Sequence, residues 1–263
     1  MNGMQITLLK KDIRSITTNK NLVATLLIVP LFMTIILPTI LILMAGLIPM
    51  DSDDFIQLLT MLPAAAQSGP DMRKSIATFM LDNIIPIFFL IIPIMSSTVM
   101  AASSFVGEKE KRTLETLLYC PLSLKQIFGA KILSAVVVSQ CVSLLSFAAM
   151  QMVVQTESWF LLGSLLKPSG SWIVLLLLVS PALSLVAITL IVRGSAKAKS
   201  MEESQQRSVF LVLPIILLAA GQFSGLFMLS IWILLGVAFL CTALGLILLR
   251  RASVGFSYER LLQ

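Results

Sequence analysis

The 263-residue chain contains no histidine. That excludes an HExxH intramembrane metalloprotease, a haem held by imidazole and a histidine proton relay. Cysteine is nearly as scarce. Cys120, Cys141 and Cys241 have neither paired nor metal-type spacing, so neither a disulfide framework nor a thiolate metal site is expected. No GxxxxGK[ST] occurs, so the chain has no P-loop of its own. Charge is thin as well, at 12% of residues. No Asp, Glu, Lys or Arg stands in the middle of any long apolar run, where a proton- or ion-coupled carrier usually needs ionisable groups.

What is abundant is apolar. Hydrophobic residues make up 57% of the chain. A helix needs about 20 largely apolar residues to cross about 30 Å of hydrocarbon, and six such runs can be read, at 22–48, 84–106, 132–154, 172–192, 209–227 and 229–249. They are apolar on every side rather than alternating, which excludes a β-barrel. The expected fold is an all-α polytopic membrane protein forming one transmembrane domain over residues 1–263. The first run is too long for a cleavable signal and lacks a small-residue cleavage pattern. All of the nineteen Lys and Arg except Arg73, Lys74 and Lys167 fall in the N-terminal arm, in the loops after the second and fourth runs, and in the C-terminal tail. By the positive-inside rule both termini are cytosolic. The net charge of +6 is thus membrane topology and not a nucleic-acid footprint.

Three local patterns refine this layout. In the arm, residues 1–20, Ile6, Leu9, Ile13 and Ile16 recur at helical spacing with Lys10, Lys11 and Arg14 on the polar side, which suits an elbow helix lying flat at the cytosolic interface. The segment 107–121 between the second and third spans opens with GEKEKR, where Glu108 and Glu110 emerge close to the arm's bases and at least one acid is expected to pair with one of them. A short helix can start at Thr113, with Glu115 in its first turn and Leu114, Leu117, Leu118 and Tyr119 as an apolar face, until Pro121 stops it. Ser123 and Gln126 then form a capping box for the third span.

Other features bear on packing. The spans contain Pro30, Pro38, Pro86, Pro93, Pro181 and Pro214, expected as kinks or packing features. The run Ser97 to Ser104 and the pair Gly221 and Gly225 provide small-residue faces on spans two and five, expected to meet a second copy at a dimer midline. A short outer helix is expected around Asp53 to Leu62, and Asp82 is read as a solvated interface residue.

The ordered run GEKEKRTLETLLYCPLSLKQIFGAKIL resembles the signature of the ATP-binding-cassette type-two permease family. Its matching positions are Gly107, Glu108, Glu110, Thr113, Leu114, Glu115, Leu117, Leu118, Pro121, Ser123, Gly129 and Lys131, with Arg112 where glycine is common. The arm with the first span, and the stretch SMEESQQRSVFLVLP, are similar to the family as well. The resemblance implies that the segment between spans two and three is a coupling helix docking on a separate cytosolic ATPase. ATP and Mg then lie on that partner and no cofactor on this chain. It further implies a second permease subunit, export by alternating access, and a bacterial plasma membrane. An antimicrobial-peptide sensing or immunity component would use the same fold, and an ATP-independent carrier stands further off.

Overall fold

The computed structural model describes residues 3–47, 72–110, 123–195, 200–223 and 229–255, and these contain helices and turns with no strand among them. Helix α1 is Gly3–Thr18. Asn19 is extended, and its side-chain carbonyl accepts from the backbone N–H of Asn21 (3.1 Å) and Leu22 (3.5 Å), capping a new helix and breaking the axis. That helix, α2, runs through Lys20–Leu31, Phe32–Ile36 and Leu37–Leu47. Helix α3 is built from Met72–Phe79, Met80–Ile84, Ile85–Phe89, Ile91–Ala101, Ala102–Val106 and Gly107–Glu110. Helix α4 is Leu124–Leu162. Helix α5 joins Ser171–Val174, Leu175–Val179 and Ser180–Gly194. The rest are α6 (Met201–Ser208), α7 (Leu213–Phe223) and α8 (Ile231–Gly255).

Among the described residues five helices are long and apolar enough to cross a membrane: Lys20–Met44, Met72–Val106, Gln126–Leu162, Ser171–Gly194 and Ile231–Arg251. The fifth apolar run of the sequence forms something shorter. Among its described residues Leu213–Phe223 is α-helical, 11 residues or about 16 Å at 1.5 Å per residue, preceded by a 3₁₀ turn at Val209–Leu211. By contrast α4 has 39 residues, about 58 Å, so both of its ends extend beyond about 30 Å of hydrocarbon. It begins with the capping box: Ser123 Oγ accepts from Gln126 N at 3.3 Å, and Ser123 N donates to Gln126 Oε1 at 3.0 Å. It ends at Gly163, whose φ of 65° is the left-handed geometry that glycine tolerates best. The expected helix at Asp53 to Leu62 lies outside the described residues.

The prolines act through a specific device. Three π-turns, Phe32–Ile36, Met80–Ile84 and Leu175–Val179, each end two residues before a proline, namely Pro38, Pro86 and Pro181. A proline ring in an α-helix collides with the carbonyl four residues back, and the wider turn relieves that contact. The helix therefore absorbs the ring by gaining a residue rather than by breaking. The remaining cost is a carbonyl whose partner five residues on has no N–H. At Leu176, which would bond to Pro181, that carbonyl accepts instead from Gln140 Nε2 of α4 at 3.0 Å.

Helix α3 lies at the centre, packed by α4 and α5, with α2 against α4 and α8 against α5. Phe89, Phe147 and Trp172 join α3, α4 and α5 through ring centroids 5.1 to 6.3 Å apart. Beside them runs a band of buried hydroxyls. Ser139 Oγ lies 3.2 Å from Ser96 Oγ and 2.8 Å from Ser184 Oγ, and donates to the Pro93 carbonyl at 3.0 Å; Ser180 Oγ donates to Gln140 Oε1 at 2.5 Å. This band corrects the expected dimer face on span two. Ser97, Thr98, Ala101, Ala102 and Ser104 are buried within the single chain because their small side chains let α4 and α5 close on α3. Gly225 lies outside the described residues.

Candidate functional site

The charged groups gather where α3 leaves the apolar bundle beside α1 and the start of α4. The π-turn Ala102–Val106 ends α3's apolar portion, and Gly107–Glu110 carries the acids one turn further. Glu108 lies between two bases. Its Oε1 is 3.2 Å from Lys11 Nζ on α1, and its Oε2 is 2.5 Å from Lys131 Nζ on α4. The two pairs differ in kind. Lys11 has a side chain 55% exposed, whereas that of Lys131 is 2% exposed. A surface pair contributes about 0 to 1 kcal/mol; a buried ammonium must be matched by strong partners or it destabilises the fold. Lys131 has them: besides Glu108 it donates to the Ser104 carbonyl at 2.5 Å and sits 5.5 Å from the centre of the Phe105 ring. Phe128, one turn before Lys131 on α4, stacks on that ring at 5.3 Å and closes the site on that side.

A second acid approaches from α1. Asp12 is 4% exposed and accepts from Ser134 Oγ at 3.4 Å. Burial raises its pKa above the ordinary value of 3.8; nearby Lys131 opposes this, Glu108 reinforces it, and Lys11 and the Ser134 hydrogen bond oppose it further. Leu8, one turn earlier, packs with Ile127 and Ala130 of α4 and seats α1 against that helix. The face of α1 that meets the bundle is thus Leu8 with Asp12. Ile6 of the expected apolar stripe is exposed, and Leu9 and Ile13 are half-buried. Glu110 takes a different partner: its carboxylate accepts from Met201 N at 3.2 Å, at the N-terminus of α6 where a negative charge is favoured.

Of the three arm bases named from the sequence, Lys11 is brought to Glu108, while Lys10 and Arg14 line an adjoining groove. Thr113, Leu114, Glu115, Leu117, Leu118 and Tyr119 lie outside the described residues, as does Cys120. Asp12 and the clamping part played by Lys131 were not singled out by the sequence reading. Lys131 carried a usable signal, a basic residue at the very edge of the apolar third span, two turns into its helix and 23 positions after Glu108. At the opposite end of the bundle Asp82 is not a merely solvated residue. It is half-buried and accepts from Ser169 N at 3.0 Å, and its neighbour Asn83 accepts from Leu229 N at 3.2 Å, so one π-turn of α3 holds both connecting loops. Among the described residues no group of three or more His, Cys, Asp or Glu is placed to hold a metal ion.

Residues 6–248 match the family described as ABC-2 family transporter protein. The chain belongs to the ABC-2 transporter family. No curated protein and no solved structure gives a significant match. As an ABC-2 family permease it is a multi-pass membrane component of an ABC transporter, and the charge cluster stands at the end of the helix that leads directly into the family-like GEKEKRTLE segment.

Proposed function

We propose that this permease is the membrane subunit of an ATP-driven exporter in a bacterial plasma membrane, with six spans, both termini cytosolic and α1 as an elbow helix at the cytosolic surface. Within the segment 107–121, Leu114, Leu117, Leu118 and Tyr119 dock on a separate ATPase that holds ATP and Mg. A second permease subunit completes the transporter through faces other than Ser97 to Ser104. Substrate crosses by alternating access.

The observation that carries the reading is the position of Glu108. It stands one turn before the docking segment and is bound at once to Lys11 of α1 and to buried Lys131 of α4. A displacement of residues 111–122 is therefore passed to three helices through charge-assisted contacts rather than through one flexible strand. Glu110, bound to the first residue of α6, extends the same connection to the loop after the fourth span.

The test is transport and ATP turnover in reconstituted vesicles containing both subunits. Lys11→Glu, which leaves the buried Glu108–Lys131 pair in place but sets two acids against each other, is expected to retain assembly and ATP hydrolysis while losing most transport, whereas Lys11→Arg keeps it. Normal transport by Lys11→Glu, or an equal loss in Lys11→Arg, removes the proposed role of the cluster.

A further inference from the structure

A shallow, open groove of about 460 Å³ lies beside the cluster, lined by Thr7, Lys10, Lys11, Arg14, Ser15 and Thr18 of α1. Lys11 is engaged by Glu108, but Lys10 and Arg14, one helical turn apart, have no acidic partner among the described residues. Like charges at this spacing repel each other, and an anion held between them removes that repulsion.

Position decides which anion. The groove reaches Thr18, and the first spanning helix starts at Lys20, so Lys10 and Arg14 sit about three and two turns before that helix. On the adjoining face Ile6 is 54% exposed and Leu9 and Ile13 are half-buried, an apolar stripe suited to acyl chains, with the lysine and arginine stems reaching to phosphate level. We propose that this groove is a binding site for the headgroup phosphate of an anionic phospholipid in the cytosolic leaflet, held by Lys10 and Arg14. The inference rests on the interfacial placement of α1 proposed above and is independent of how ATP hydrolysis is coupled.

The test uses the purified full chain alone, solubilised with equimolar phosphatidylglycerol and phosphatidylcholine of matched acyl chains, with retained lipid counted by native mass spectrometry. Phosphatidylglycerol is expected to be retained in preference. Lys10→Gln with Arg14→Gln is expected to lower its retention by about tenfold or more at an unchanged melting temperature, whereas Lys10→Arg with Arg14→Lys preserves it. Excess inorganic phosphate is expected to leave the bound lipid in place. Equal retention of both lipids, full retention by the double Gln variant, or displacement by inorganic phosphate, the mark of a free-anion site, would each overturn the proposal. Because no ATPase is present, failure here is distinct from failure of the transport reading.

Discussion

Helices α3 and α8 are almost equally apolar, yet 78% of the spanning window of α3 is buried inside the chain against 17% for α8. Hydropathy reports that a segment avoids water, and a lipid tail satisfies that as well as a protein core does. What separates the two helices is side-chain size and polarity. Helix α3 presents Ser96, Ser97, Thr98, Ala101, Ala102 and Ser104 to its neighbours, and the hydroxyls of Ser96, Ser97 and Thr98 find partners there or in their own helix. Helix α8 turns Trp232, Phe239 and Leu240 outward, with exposures of 58 to 79%.

The largest effect expected from testing this contrast is at Lys131. Lys131→Met removes the buried cation that closes α3 onto α4, and the acid left behind makes the loss about 3 to 5 kcal/mol, read as collapse of the thermal transition in detergent. Next come matched insertions of bulk. Ala101→Leu on α3 has no room and is expected to cost about 1 to 3 kcal/mol, while Gly236→Leu on α8, where an added Cβ meets nothing within 4 Å, should stay within about 0.5 kcal/mol. Gly245 breaks the contrast from inside α8. Its added Cβ would lie 3.3 Å from Leu185 Cβ, so Gly245→Leu is expected to behave like Ala101→Leu and to mark the place where α8 closes on α5. Gln140→Leu should cost about 1 to 3 kcal/mol by stranding the Leu176 carbonyl, even though it makes α4 more apolar.

The smallest effect concerns pH. Because burial raises the Asp12 pKa above 3.8, the folded chain keeps a proton there over a window in which the unfolded chain has already lost it. Stability therefore falls as pH rises from the ordinary value through the raised one. Asp12→Asn is expected to flatten that slope and to raise the melting temperature slightly at neutral pH. A steeper fall in the variant than in the parent would show that the ionised carboxylate, paired with Lys131, stabilises the fold instead.

Much of this was legible before any coordinates. The Ser123 and Gln126 box was readable because it depends on three consecutive peptide units and on nothing distant. The arm bases and the two acids after span two could be matched by level, since both flank apolar runs on the same side. Which base met which acid could not, because that depends on the rotation of α1 about its axis, and the rotation is set by Leu8 packing on Ile127 and Ala130. The orientation of Ser97 to Ser104 was misread for a related reason. Small residues announce a close neighbour, but not whether it belongs to the same chain.

The π-turns before Pro38, Pro86 and Pro181 have a consequence for how this chain can change length. Each is an α-helix carrying one residue more than its register needs, introduced without rotating the helix beyond it. A single deletion elsewhere in a span swings every later side chain by about 100° and exchanges its lipid-facing and protein-facing residues. A deletion within Phe32–Ile36 combined with Pro38→Ala instead returns a regular helix with both flanking faces in place. These three sites are therefore where relatives one residue shorter can arise, and in them the loss of the residue should accompany the loss of the proline.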